Sequence, residues 1–253
     1  MDLDVNGIKF SYNQIPVLNG MNFCMNYGEV LGILGPNGSG KTTMLKCINR
    51  LLTPSQGEIL IEGNKVSQMK ISEIAKYIGY VPQNVRNDMA SPTVFEVVMM
   101  GRSPHIAWKP AHTDEDIVWN VLESLNIKDL AASFFDELSS GQTQRVLIAR
   151  AIAQEAKILL LDEPTSNLDI KYQIEVMNLI KTLSRERMLG VCAIIHDLDL
   201  AMNYCDKIIL MNDGLPVAFG TPDEVLTASQ IKEVYGVEAI IDRTYGKPHV
   251  IIT

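Results

Sequence analysis

The sequence predicts an α/β fold built on a parallel sheet covered on both faces. Three observations predict it. Short, uninterrupted apolar runs alternate with amphipathic segments, the pattern of strands buried on both sides. A glycine-rich loop, Gly35–Thr42, joins one such run to a helix. A second run, Ile158–Leu161, ends in two adjacent carboxylates, Asp162 and Glu163, at the strand end where ligands gather in open α/β sheets.

The elements follow in order. Leu3, Val5 and Ile8 alternate with polar residues and mark one strand; Met21, Phe23 and Met25 mark another. Val30–Leu34 is a short apolar strand that runs into the glycine-rich loop. Met44, Leu45, Ile48, Leu51 and Leu52 then place one apolar face on a helix, and Ile59 and Ile61 mark a further strand. From about Asn84 to Gln154 the pattern is mostly helical, which sets residues 84–154 apart as a helical subdomain within a single domain spanning 1–253. Its amphipathic helix through Ile117, Val118, Val121, Leu122 and Leu125 has Thr113 as its expected N-cap. After Ile158–Leu161 come a helix near Ile170–Arg185, a strand Val191–Ile195, a helix after Asp197 and a strand Lys207–Met211. Asp213-Gly214 reads as a hairpin turn into Pro216–Phe219, and Val250–Ile252 as a small edge strand.

Composition narrows the function classes. At 253 residues with 47 % apolar side chains, the chain can bury a sizeable core as one large domain. A net charge of −8 argues against nucleic acid or an anionic lipid surface as the main partner. It leaves phosphate ligands open, because a local loop binds phosphate even in an acidic protein. Cys24, Cys47, Cys192 and Cys205 have no metal-site spacing and read as buried free thiols of a reducing compartment. No apolar run approaches the roughly 18 residues of a membrane span, and the acidic start Met1-Asp2-Leu3-Asp4 lacks a signal-peptide pattern. An intracellular protein that does not itself cross a membrane is expected.

The residues with chemistry to offer are few. Gly35-Pro36-Asn37-Gly38-Ser39-Gly40-Lys41-Thr42 fits G-x-x-x-x-G-K-[ST] between a strand and a helix. The glycines let successive N–H groups point inward at phosphate oxygens, and the helix adds its positive dipole end. Lys41 can reach the β- and γ-phosphates, and the Thr42 hydroxyl suits Mg²⁺. Asp162 offers the hard oxygen that Mg²⁺ prefers, and Glu163 can orient and deprotonate an attacking water. Leu138-Ser139-Ser140-Gly141-Gln142 is a small-residue turn at a helix start, read by itself as an ordinary N-cap.

Taken in order, these motifs resemble those of an ABC transporter ATPase subunit over essentially the whole chain. The set comprises Tyr12, the phosphate loop, Gln83 in Tyr80-Val81-Pro82-Gln83, the signature Leu138–Gln142, Asp162-Glu163, Ser166-Asn167-Leu168-Asp169 and His196. The resemblance implies a P-loop NTPase core of RecA type with a mixed sheet, an N-terminal antiparallel β subdomain and a helical insert. It implies ATP and Mg²⁺ as cofactors, with Tyr12 stacking on adenine and the loop residues Gly35, Asn37, Gly38, Ser39, Gly40, Lys41, Thr42 and Thr43 holding phosphates. Thr42, Gln83 and Asp162 would serve the metal. Glu163, His196, Lys41 and Gln83 would serve hydrolysis, with His196 on the γ-phosphate. Ser139, Gly141 and Gln142 would reach the nucleotide of a second copy, with Asp169 at the same seam. Further partners implied are integral membrane permease subunits and, indirectly, a solute-binding protein, with the chain on the cytoplasmic face of the membrane and no nucleic acid bound.

The run Met100-Gly101-Arg102-Ser103-Pro104-His105 is similar to one common in ATPases of importers for ferric chelates, haem, vitamin B12 and, in some cases, molybdate. The residues themselves also fit a surface junction between helix and loop. Two positions depart from the family pattern. Ser140 stands where glycine is usual, which matters only if that residue needs φ > 0. Asn167 stands where alanine is usual. The ATPase of another importer or of an exporter, a chromosome-maintenance ATPase and a binding module without turnover are the rival readings. The second lacks its coiled coils and basic surface here, and the retention of Glu163 and His196 argues against the third.

Overall fold

The computed structural model describes residues 1–83, 91–244 and 246–253. The N-terminal hairpin of β1 (Leu3–Tyr12) and β2 (Ile15–Met25) leads into β3 (Val30–Leu34), α1 (Lys41–Ile48), β4 (Gln56–Ile61), the two-residue β5 (Asn64–Lys65), α2 (Ile71–Tyr77) and β6 (Ile78–Val81). Among the described residues α3 (Val94–Met99), α4 (His112–Ser124) and α5 (Ser140–Ala153) follow. The rest alternates as β7 (Ile158–Leu161), α6 (Ile170–Glu186), β8 (Gly190–Ile194), α7 (Leu198–Tyr204), β9 (Lys207–Asn212) and β10 (Leu215–Gly220). It closes with α8 (Pro222–Val225), α9 (Ala228–Tyr235), β11 (Ala239–Asp242) and β12 (His249–Ile252).

The main sheet has the order β10-β9-β3-β8-β7-β6, parallel from β9 through β6 with β10 antiparallel at its edge. A second, antiparallel sheet has the order β2-β1-β4-β5. Side chains alternate across a strand, and here each alternation feeds a core. Leu31, Ile33, Ile158, Leu160, Cys192, Ile194, Ile209 and Met211 pack with the antiparallel sheet and α1. Val30, Leu34, Leu159, Leu161, Val191, Ala193, Ile208 and Leu210 pack with the helices on the other face. Both faces are covered, which is why these strands read as unbroken apolar runs.

The helical segment packs α3 and α4 against α5. Arg102, for which a surface junction is the alternative reading, is only 5 % exposed. Its Nε donates to Asp114 Oδ1 at 2.9 Å, and its Nη1 to Ala153 O at 2.7 Å and Glu155 Oε2 at 2.6 Å. His105 stays exposed, with Nε2 2.9 Å from Gln154 O. The guanidinium is tolerated inside because charged and carbonyl oxygens meet three of its directions.

Several expectations need correction. Helix α4 begins at His112 rather than after a Thr113 cap: the Asp114 carboxylate takes the Ala111 N–H at 3.0 Å and closes the turn. Helix α1 stops at Ile48, because Arg50 adopts φ +53° and turns Leu51 out to 59 % exposure. Cys24 is half-exposed on β2, whereas Cys47, Cys192 and Cys205 are buried; all four are free. β12 pairs with β11 in its own two-stranded sheet, pinned to α7 where Asp199 Oδ1 accepts from Val250 N at 2.6 Å. Asn84–Ala90, the start of the expected helical subdomain, lies outside the described residues.

Candidate functional site

Because β3, β8, β7 and β6 are parallel neighbours, their carboxyl ends form one edge. The sequence places its chemistry on the loops that leave that edge. The phosphate loop follows β3, His196 follows β8, Asp162 and Glu163 follow β7, and Gln83 follows β6.

Two glycines of the loop are required by their surroundings. Gly35 has φ +147°, and a Cβ there would lie 2.2 Å from Met211 O. Gly40 caps α1 with φ +96° and offers no side-chain cap, so the first N–H groups of the helix remain for a ligand. Asn37 and Gly38 form the exposed crest, while Thr43 is buried on the first turn of α1. Lys41 is 6 % exposed and folds back over the loop, its Nζ donating to Gly35 O and Pro36 O at 2.8 Å each. Burial pushes the Lys41 ammonium down, and the nearby Glu163 and Asp162 oppose that shift. Ser39 Oγ is buried without a hydrogen-bond partner among the described residues. A phosphate oxygen is the acceptor that such a hydroxyl, beside a lysine and free helix amides, would fit.

Asp162 is 5 % exposed. Thr42 Oγ1 donates to its Oδ1 at 3.1 Å and Tyr80 OH to its Oδ2 at 3.2 Å. Burial dominates and raises the Asp162 carboxyl above its ordinary value, against those two hydrogen bonds. A carboxylate that is costly to charge alone, paired with a threonine hydroxyl, is a donor set that fits a hard divalent cation. Glu163 adopts φ +56°, a backbone state that costs a non-glycine residue about 1 kcal/mol. Its carboxylate is held from both sides: Gln83 Nε2 donates to Oε2 at 2.6 Å, and His196 Nε2 lies 2.8 Å from Oε1.

The remaining expected residues lie apart from this cluster in their contacts. Ser139 caps α5, accepting from Gln142 N at 3.4 Å while Gln142 Oε1 accepts from Ser139 N at 3.0 Å, a capping box. Ser140 is the first residue of that helix and does not need positive φ, so its substitution for glycine introduces no strain. A Cβ on Gly141 would meet the Tyr172 ring at 2.9 Å, so within the chain that glycine lets α5 approach α6. Asp169 is exposed and caps α6 through Tyr172 N at 3.3 Å. Asn167 has φ +60°, a conformation asparagine adopts more easily than the usual alanine. Tyr12 is 44 % exposed at the end of β1, edge-on to Phe10 at 4.8 Å. Sequence reasoning missed what Tyr80 and Tyr172 touch. The available signal was only that Tyr80 shares the short run with Gln83.

Comparison with known proteins adds breadth to these motifs. The ABC transporter family pattern matches residues 18–166. An uncharacterized ABC transporter ATP-binding protein of Methanocaldococcus jannaschii is 45 % identical over 251 residues, covering 99 % of this chain and 98 % of that protein. The ferric enterobactin transport ATP-binding protein FepC of Escherichia coli is 36 % identical over 250 residues, covering 96 % of this chain and 91 % of that protein. A solved ABC transporter described as of metal-chelate type, in an inward-facing conformation, superposes with a TM-score of 0.87 at 31 % identity, covering 100 % of this chain and 97 % of the other. With its motifs in order, its strand edge assembled and its length matched nearly end to end, the chain belongs to the ABC transporter family as an ATP-binding subunit, an ATPase.

Proposed function

We propose that the chain powers an importer of metal chelates, ferric siderophores first among them, and that it works at the cytoplasmic face of a membrane as a pair with a second copy of itself. The observation that carries the hydrolytic reading is the Glu163 carboxylate fixed between Gln83 and His196 beside the phosphate loop. In this reading the loop amides, Ser39 and Lys41 hold the phosphates of ATP, and Tyr12 takes the adenine on its exposed face. Thr42 and Asp162, with Gln83 nearby, hold Mg²⁺, which when bound neutralises phosphate charge. Glu163 accepts a proton from water as the water oxygen bonds to the γ-phosphorus and the bond to the bridging oxygen breaks, leaving ADP and phosphate. His196 orients Glu163 and contacts the γ-phosphate.

The second copy is needed for Ser139, Gly141 and Gln142 to act. Within one chain the Ser139 and Gln142 side chains bond to each other's residue, and Ser139 is exposed at the start of a 14-residue helix. An ATP held between two copies, with Asp169 at the seam, would join them, and its hydrolysis would part them. A cycle of that kind does transport work only when attached to a permease. Among the described residues no helix is long and apolar enough to cross a membrane, so the permease is read as a separate chain. The cargo reading is supported by the name of the Escherichia coli relative and by the metal-chelate neighbour.

The test is purification with the membrane partner and reconstitution into vesicles. Uptake of a ferric siderophore, haem, cobalamin or molybdate is measured with and without ATP and a solute-binding protein. ATP-driven uptake of an iron chelate is the expected result. Uptake of an unrelated cargo alone overturns the metal-chelate reading, and ATP-driven efflux overturns the importer reading.

A further inference from the structure

Tyr80 has no part in the hydrolytic reading above, yet it touches one of its principal groups. It sits on β6, in register with Leu160 of β7, one residue before the Val81 carbonyl that accepts from Asp162 N at 2.9 Å. Its half-buried ring forms part of the wall of a groove of about 350 Å³, with Ile74, Ile78, Leu51, Met100 and Arg150. The ring packs against the core beneath the antiparallel sheet, and the sheet register places its backbone. Its hydroxyl donates to Asp162 Oδ2 at 3.2 Å. Thr42 occupies the other oxygen, Oδ1, at 3.1 Å. A carboxylate on a short stem turns about its last torsion with a broad preference, and a fixed donor on one oxygen removes that freedom.

We propose that Tyr80 is a positioning residue for the divalent cation, its hydroxyl holding Asp162 so that Oδ1 stays beside the Thr42 hydroxyl. The inference rests on the reading of Thr42 and Asp162 as the metal pair. The alternative is that the phenol only satisfies a buried carboxylate, which predicts a loss of stability and nothing else.

Tyr80→Phe removes one oxygen and keeps the ring in the groove wall. The full chain is loaded with a non-hydrolysable ATP analogue, and Mn²⁺ is titrated in by electron paramagnetic resonance. Analogue binding without metal and the melting temperature are measured alongside. Mn²⁺ affinity about ten-fold weaker in Tyr80→Phe is expected, the size of one hydrogen bond to a charged group, with metal-free analogue binding unchanged. In turnover, half-saturation by Mg²⁺ shifts upward by a similar factor, and kcat at saturating Mg²⁺ stays near that of the parent. Unchanged or tighter Mn²⁺ binding overturns the proposal, whether or not the melting temperature falls. Asp162→Asn separates this from the parent reading. If Asp162→Asn weakens Mn²⁺ binding and Tyr80→Phe does not, only the role of Tyr80 fails. If neither does, the metal pair fails and the inference with it.

Discussion

His196 Nε2 and the Glu163 carboxylate stand 2.8 Å apart across the ends of two adjacent parallel strands, β8 and β7. Gln83 meets the other oxygen of the same carboxylate from β6, so the acid that follows β7 is held by residues from the two strands flanking it.

Glu163→Gln keeps the shape of the side chain and removes its basicity. ATP binding is expected to persist, while turnover falls by roughly 10²-fold or more, the contribution of a positioned general base. With ATP present the variant should accumulate as a dimer in size-exclusion chromatography. Turnover equal to that of the parent removes Glu163 as the base.

Asp162 carries a charge that burial disfavours. Asp162→Asn should therefore melt about 2–4 °C higher than the parent in metal-free buffer near neutral pH, the effect of about 1 kcal/mol in a chain of this size. Calorimetry with chelator present checks it, and a lower melting temperature contradicts it.

Arg102 should behave as a buried ion partner. Arg102→Met leaves Asp114 without its guanidinium and should cost about 3 kcal/mol, read as a melting temperature lower by about 6–12 °C. The doubly substituted Arg102→Met, Asp114→Leu chain should recover part of the loss. The Asp114 carboxyl is held below the usual range, first by the Ala111 amide and then by Arg102. A lowered carboxyl contributes stability that is complete above its ordinary pKa and lost as pH falls through the lowered value. The gap between parent and Arg102→Met, followed by denaturant titration, should thus narrow in acid.

The two family departures should separate. Ser140→Gly places glycine in the first turn of α5 and should change stability by no more than about 1 kcal/mol, on the destabilising side. Asn167→Val forces a β-branched residue to φ +60° and should cost about 1–2 kcal/mol. Equal melting temperatures for the two variants would contradict the backbone account.

What was legible in the sequence was what is local. The glycine-rich loop, the apolar strands and the acidic pair each announce themselves within a dozen residues, and Ser139 and Asp169 sit at caps, as their residue types indicate. What was missed depends on distant partners. β6 is a four-residue run whose strand character comes from pairing with β7, and Tyr80 finds Asp162 across 82 positions. The burial of Arg102 depends on Asp114, Ala153 and Glu155, which converge on it from other segments. Leu51 keeps the helical spacing that it should, but the left-handed Arg50 ends the helix before spacing can act.

The tightness around Gly35 reaches beyond phosphate. The Met211 carbonyl occupies the volume a Gly35 side chain would need, and three residues further on Gly214 presses against Val17 O, 2.3 Å from its own would-be Cβ. Val17 O in turn lies 2.9 Å from where a Cβ of Gly40 would stand. The β9–β10 turn, the β2 backbone and both ends of the nucleotide loop are thus interlocked main chain against main chain. A graft that exchanged the loop between two such proteins would have to carry the turn with it, and lengthening that turn by a single residue would be felt at the first and last glycines at once.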